Sequence, residues 1–439
     1  MDTTAIHFLG FEARALSGRL GQVQPFALTE VMVPAAGISG RALWAIERHM
    51  EANRKALHER IRSFVSWLES PFGQRASASD GQRRFVLLRL HFNRVLTQFD
   101  LFADALSQRS ERENGVWLAG LDAIALDALA MPGFYDDPPV ICYLDRGAGA
   151  AIRRARTRLP GGGSNPVAII RVPRERMVGY GIASSLVHEV GHQAAALLDL
   201  VNFLRPQLAL RARHARGGSA QAWQLFERWI SEIVADFWSV ARLGVVSTMG
   251  LFGVVSLPRA FVFRMGPDDP HPFPWIRVLL SCAIGRALYP DPQWHRLEAL
   301  WKRFYPPGGL GSERRGLLDA LEAQLPEFVD RLLNARPPSL AGLSLVEAMQ
   351  TEHRHPADLR NRYHGRRGNG AGLFSLPPTL ALAVLGQQRA DNAISAVNES
   401  RILGRLLTHW ALQGALATSA RPDPIRRVNH ARHIQLQVT

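Results

Sequence analysis

Cysteine and lysine are nearly missing from this sequence. Two cysteines, Cys142 and Cys282, among 439 residues exclude a disulfide scaffold and a cysteine-built zinc knuckle. Both stand in apolar surroundings and read as packed thiols. Lys55 and Lys302 are the only lysines, so arginine supplies nearly all the positive charge behind a formal net charge of +14. That bias is associated with GC-rich coding rather than with a ligand. Long hydrophobic runs are lacking too. The longest charge-free stretch near the motifs described below runs from Leu243 to Leu257, contains Gly244, Gly250 and Gly253, and stops at Pro258. It is too short for a bilayer-spanning helix and reads as a buried helix or close-packed hairpin. Met1 to Gly10 has no basic start followed by an apolar core, so no secretory signal is expected. These absences predict a soluble, cytoplasmic protein with no membrane span.

What is present is enough apolar material for a large core. Hydrophobic residues make up 47% and charged residues 21% of the chain, which argues against disorder. Residues 351–439 carry twelve Arg against five Asp plus Glu, so half of the excess charge sits in the last fifth of the chain. A polyanion partner such as nucleic acid is the weaker reading of that bias.

The periodicity predicts a mainly α protein with a small β-sheet, an α+β arrangement. Residues 1–38 show weak periodicity and read as loop or short strand. From Arg41, Leu43, Ile46, Met50, Leu57, Ile61, Val65 and Leu68 fall on one helical stripe. Helices over about 83–107 and 115–130 follow. Met131-Pro132-Gly133 and Asp136-Asp137-Pro138-Pro139 punctuate the chain. Val140–Leu144 and Val167–Val172 read as strands on either side of a basic, glycine-rich loop, Arg153 to Gly163. That loop is not a P-loop, since no Gly-Lys-Ser/Thr follows; it reads as solvated, with steering of an acidic substrate as the alternative. Helical segments over about 177–203, 219–243 and 274–289 come next. The chain beyond 291 is again helical, and the tail after Ala420 reads as frayed. The natural divisions are a helical region over 1–131, a core over 132–290 and a helical region with a basic tail over 291–439.

The segment His188-Glu189-Val-Gly-His192 reads H-E-x-x-H. Residues four apart on a helix lie one turn apart on nearly one face, so the two imidazoles can hold one Zn²⁺ at roughly 2.0–2.1 Å. Glu189 is offset enough to reach water on the metal rather than the metal. Leu186, Val187 and Ala194–Leu198 make the rest of the helix apolar, and Gly191 points to close packing against another element. Forty residues beyond His192 comes Glu232-Ile-Val-Ala-Asp236. Two carboxylates one turn apart on an apolar helix need partners. A metal gives Glu232 one, and the free ring N–H of a zinc histidine gives Asp236 another. Two His and one Glu leave an open fourth position, as a catalytic zinc requires. The third element is His271-Pro272-Phe-Pro-Trp-Ile-Arg277-Val278.

Together these resemble the gluzincins that include the HtpX-like heat-shock proteases and the CAAX prenyl endopeptidases, whose pattern is H-E-x-x-H, then E-x-x-A-D, then H-P-x-x-x-x-R with an aliphatic residue. The match spans residues 180–280. The resemblance implies a zincin-like metallopeptidase core flanked by helical regions, with one zinc ion on His188, His192 and Glu232, Glu189 as general base and Asp236 behind the ligands. It implies that His271 and Arg277 bind substrate or stabilise the oxyanion. The short interval between His192 and Glu232 leaves no room for a membrane hairpin. His355-Pro356 has its arginine at another spacing and ranks below His271.

The implied activity is zinc-dependent hydrolysis of a peptide or protein substrate. Val167–Val172, just before the active helix, is a candidate sheet edge for an extended peptide. Two other readings compete: a helical scaffold with a structural zinc, and a basic nucleic-acid-associated protein. The substrate, the oligomeric state and the identity of the metal are left open.

Overall fold

The computed structural model describes residues 1–146, 150–159, 162–173, 180–266, 268–364 and 371–420. The expected fraying after Ala420 and the expected helix start at 177 lie outside them.

The protein is mainly helical with one small mixed sheet, as the periodicity predicts. The first helix, α1 (Thr3–Gln22), falls where the sequence reads as loop or strand. Asp2 caps it by accepting a hydrogen bond from Ala5 N at 2.7 Å, and Leu9, Ala13, Leu16 and Leu20 form its buried face. Phe8 and Phe11 are exposed on the same helix, which blurs the stripe in the sequence. Helices α2 (Gly40–Glu69), α3 (Pro71–Arg75) and α4 (Ala78–Ser107) follow. Serine side chains cap the N-termini of all three, Ser39, Ser70 and Ser77 in turn. Then come α5 (Arg112–Leu129) and the strands β1 (Val140–Asp145), β2 (Ala151–Arg153) and β3 (Ala168–Pro173).

The sheet order is β1-β3-β2, with β3 parallel to β1 and antiparallel to β2. The sequence offered β3 as a free edge for a peptide. It is instead the central strand, paired on both sides. The outer edge of β1 is closed by side chains: Gln108 bonds both N and O of Leu144 at 2.7 and 2.8 Å, Asp122 accepts from Cys142 N at 2.7 Å, and Arg109 donates to Cys142 O at 2.7 Å. Arg109 is fully buried and ion-paired to Asp122 at 2.9 Å, which ties β1 to α5.

The sheet separates two hydrophobic cores. Strand side chains alternate between faces: Ile141, Val167 and Ile169 enter the core of α1, α2 and α4, whereas Val140, Cys142, Leu144, Ala168, Ile170 and Val172 enter the larger core. That larger core begins on α5 and continues through α6 (Tyr180–Leu197), α7 (Leu200–His214), α8 (Gly217–Leu243), α9 (Val245–Val255), α10 (Arg259–Val262) and α11 (Pro274–Leu288). It takes in α12 (Gln293–Phe304), α13 (Ser312–Leu333), α14 (Leu345–Met349), α15 (Pro356–His364), α16 (Pro378–Ala390) and α17 (Ala396–Ala420). Chain from before residue 131 and after residue 290 therefore shares one core with the segment between. The charge-free stretch from Leu243 is mostly the buried helix α9. Among the described residues no helix is long and apolar enough to cross a membrane.

Helices α6 and α8 meet at Gly191, as its place in the motif anticipates. A Cβ there would lie 2.8 Å from Ala235 Cα and 2.9 Å from Trp238 Cβ, distances that only a shift of backbone could relieve. Gly191→Ala should therefore lower the unfolding free energy by about 1–3 kcal/mol, read from chemical denaturation, and should weaken divalent-metal binding as the two helices move apart.

Candidate metal centre

The site is assembled from α6, α8, the start of α11 and the loop before α11. The H-E-x-x-H spacing puts His188 and His192 on one side of α6. The close approach at Gly191 brings α8 alongside, so that Glu232 and Asp236, one turn apart, face them. Glu232 and Asp236 are buried among Trp229, Ile230, Ile233 and Phe237.

Glu232 is the point of convergence. Its Oε2 lies 3.2 Å from His188 Nε2 and 3.3 Å from His271 Nε2, and its Oε1 lies 3.4 Å from His192 Nε2. Ligand atoms of His188, His192 and Glu232 all fall within 4.8 Å of one another. Glu232 Oε2 is nonetheless buried without a hydrogen bond. A buried carboxylate oxygen in that state is costly, and a cation among these three ligands would give it a partner. Two imidazoles and a carboxylate suit zinc and neighbouring divalent transition metals. The residues present fit such an ion.

Behind His188 runs a chain of charged groups. Its Nδ1 donates to Asp236 Oδ1 at 2.8 Å, which fixes the ring and turns Nε2 toward Glu232. Arg277, from the first turn of α11, grips Asp236 in turn through Nε at 2.7 Å and Nη2 at 2.9 Å. The same Nη2 lies 3.4 and 3.5 Å from the two nitrogens of the His188 ring. The resemblance implied that Arg277 binds substrate or stabilises the oxyanion. In the fold its guanidinium is engaged by Asp236 and bears on the ligand set through that carboxylate.

His271 is half exposed, and its Nε2 turns toward Glu232. Its orientation depends on a residue the motif does not contain. Asp269 Oδ1 accepts from both the backbone N of His271 at 3.0 Å and its Nδ1 at 2.8 Å. The sequence signal was present in Asp269-Pro-His271, but an exposed acid two residues from a histidine is common, and the clamp becomes visible only in three dimensions. Glu189 is half-buried on α6, and its carboxylate makes no hydrogen bond or ion pair among the described residues. His355, the lesser His-Pro candidate, lies elsewhere: it contacts Pro290 O at 3.1 Å and accepts from Ala357 N at the start of α15. Two clefts, of 540 and 250 Å³, open beside His271 and share Arg264, Asp269 and Phe273 in their walls.

The electrostatics follow from burial and charge. Burial alone would lower His188, but the Asp236 charge, the hydrogen bond to Asp236 and the nearby Glu232 carboxylate outweigh it and raise the ring to about 9. Burial alone would raise Glu232 and Asp236. Contacts with His188 and His192 hold Glu232 well below the usual carboxylate range, and Arg277 with His188 does the same for Asp236. No protein family, curated protein or solved structure matches this chain.

Two expectations follow. The folded metal-free chain keeps a proton on His188 that the unfolded chain releases near 6.5. That proton's contribution to stability is therefore complete below about pH 6.5 and is lost as pH rises through about 9. A metal ligand must be deprotonated, so metal binding should release this proton and affinity should climb by up to about tenfold per pH unit as pH rises toward about 9. Calorimetric titration of Zn²⁺ in buffers of different ionisation enthalpy reads the proton count directly. Asp269→Ala should leave metal stoichiometry intact while freeing the His271 ring, seen as loss of its fixed Nδ1–H tautomer in ¹⁵N-detected NMR; Asp269→Asn, which keeps an acceptor, should largely retain it.

Proposed function

We propose that the chain is a zinc-dependent peptidase of the gluzincin type, in which His188, His192 and Glu232 hold one ion and the substrate is a peptide or protein. The observation that carries this reading is the convergence of three ring nitrogens on the buried carboxylate of Glu232, whose Oε2 has no hydrogen bond of its own, with a carboxylate that makes no hydrogen bond among the described residues, Glu189, next to the first ligand. A purely structural ion would have no use for Glu189.

When bound, the ion supplies a Lewis acid that acidifies water and polarises the scissile carbonyl. Glu189 accepts the proton of the attacking water and passes it to the leaving amine, the work of a general base and then acid. Asp236, steadied by Arg277, keeps His188 presenting Nε2. His271, fixed by Asp269 and open to solvent on one side, stands where it can meet the carbonyl oxygen of a substrate. The clefts beside it offer apolar walls, including Phe261 and Phe273, for side chains flanking the cleaved bond.

The test is metal analysis of the purified protein together with cleavage of a proteome-derived peptide library. Glu189→Gln should keep one ion per chain and lose about 10²-fold or more of the hydrolysis rate. His188→Ala should lose both. Stoichiometric metal with cleavage unchanged in Glu189→Gln, or a wild-type chain that acquires no metal, ends the proposal.

A further inference from the structure

The basic loop after β1 and β2 has no part in the metal centre, yet it borders a groove of its own. The strand register sets out one face of the sheet. Tyr143, Arg171 and Ala151 lie side by side on β1, β3 and β2, and Ile141, Ile169 and Arg153 form the next row. Arg171 and Arg153 are thus diagonal neighbours, and the small side chain of Ala151 leaves a hollow beside them. Leu101 of α4 closes the groove above, and Arg154 and Thr157 complete it, around a volume of 500 Å³. This is the face turned toward the N-terminal core, opposite the one that packs against α6.

The charges here are not balanced. Arg171 Nε is buried without a hydrogen bond, and its Nη1 comes only within 4.0 Å of Asp145. Among the described residues the guanidinium groups of Arg153 and Arg154 donate no hydrogen bond. Like charges on diagonal sheet neighbours are unfavourable, and a buried N–H without an acceptor adds to that cost.

We infer that this groove binds a phosphate-bearing small molecule, its phosphate held by Arg153, Arg154 and Arg171 and its organic part lying against Tyr143, Leu101 and Ile169. Three guanidinium groups call for an anion of more than one charge, and their planar forks match phosphate oxygens. The volume suits a ligand of nucleotide size. A continuous polyanion fits less well, because the hollow on the other side of Tyr143 is lined by Asp104 and Asp145. The inference does not depend on the proposed peptidase activity. The groove nevertheless has a rigid link to the ligand helix: just beyond Arg154, Ala155 N donates to the buried side chain of Gln193, the neighbour of His192, at 2.7 Å.

The probes are ADP and inorganic pyrophosphate, titrated calorimetrically into the full chain at low salt. One saturable site per chain is expected, weakened about tenfold or more by the double substitution Arg153→Glu, Arg154→Glu and by Arg171→Gln. His192→Ala should leave it unchanged, which separates the groove from phosphate bound at the metal centre. Arg153 and Arg154 are exposed at the sheet edge, so their variant keeps the test valid should the strand substitution unfold the chain. The inference is overturned by absence of saturable binding of both probes, or by binding that survives the double substitution. It is also overturned if a single-stranded oligonucleotide binds more tightly than ADP through the same arginines, which would give the surface to nucleic acid.

Discussion

The distance between α6 and α8 at Gly191 governs the rest of the site. Neither helix carries all of the candidate ligands. The imidazoles belong to one and the carboxylates to the other, and they share a point only because backbone meets backbone where a side chain would intervene. The contact is held on both sides. Toward the start of α6, Ser239 donates to Ser184 O, Ser184 to Ser247 O, and Ser247 to Ser239 Oγ, at 3.2, 2.9 and 2.8 Å, joining α6, α8 and α9 by buried hydrogen bonds. On α8 itself, Trp238 Nε1 donates to Ala128 O of α5 at 2.9 Å. A site built on packed helices with satisfied polar contacts is more rigid than one hung on loops, and here the loop contributes only His271 and its clamp.

That division explains what could be read in advance. The pairs His188/His192 and Glu232/Asp236 were legible because helical spacing alone dictates their faces, and the glycine between the histidines announced the close contact. Arg277 and Asp269 were not legible in the same way. Whether an arginine meets substrate or a neighbouring carboxylate depends on how α11 approaches α8, which no spacing records. The fold shows the same pattern. The strands over 140–144 and 167–172 were visible as short apolar runs, but strand order was not, and the central place of β3 rests on the three-residue β2, too short to have a periodicity of its own. Helix α1 was missed because its exposed Phe8 and Phe11 mimic a second apolar face. Its Asp2 cap was the better signal.

The sheet gives these local facts a common frame. A wall with one core on each face must be apolar on both, which is why β3 reads as a continuous run, Ala168-Ile-Ile170, before Arg171 breaks it. The break falls between Tyr143 of β1 and Ala151 of β2. Gln108, Arg109 and Asp122 occupy the outer backbone groups of Cys142 and Leu144 on β1, which another chain would otherwise be free to join. Arg109 is fully buried, and the pairing with Asp122 and Cys142 O that makes this tolerable also fixes α5, on which Trp238 is anchored.

The charge count at the centre bears on what it could hold. Glu189, Glu232 and Asp236 are three carboxylates around the single guanidinium of Arg277, whose charge all three stabilise. Glu232 and Asp236 are buried, so much of this deficit of positive charge falls where solvent screens it least. In the metal-free chain a proton on His188 makes up part of it, and this is the physical meaning of a buried histidine raised to about 9 rather than lowered as burial alone demands. A divalent cation would meet the whole deficit and at the same time give Glu232 Oε2 a partner. A monovalent ion would leave one negative charge uncompensated. The same group of residues is thus short of positive charge and of a partner for Glu232 Oε2, and a single divalent ion would answer both needs.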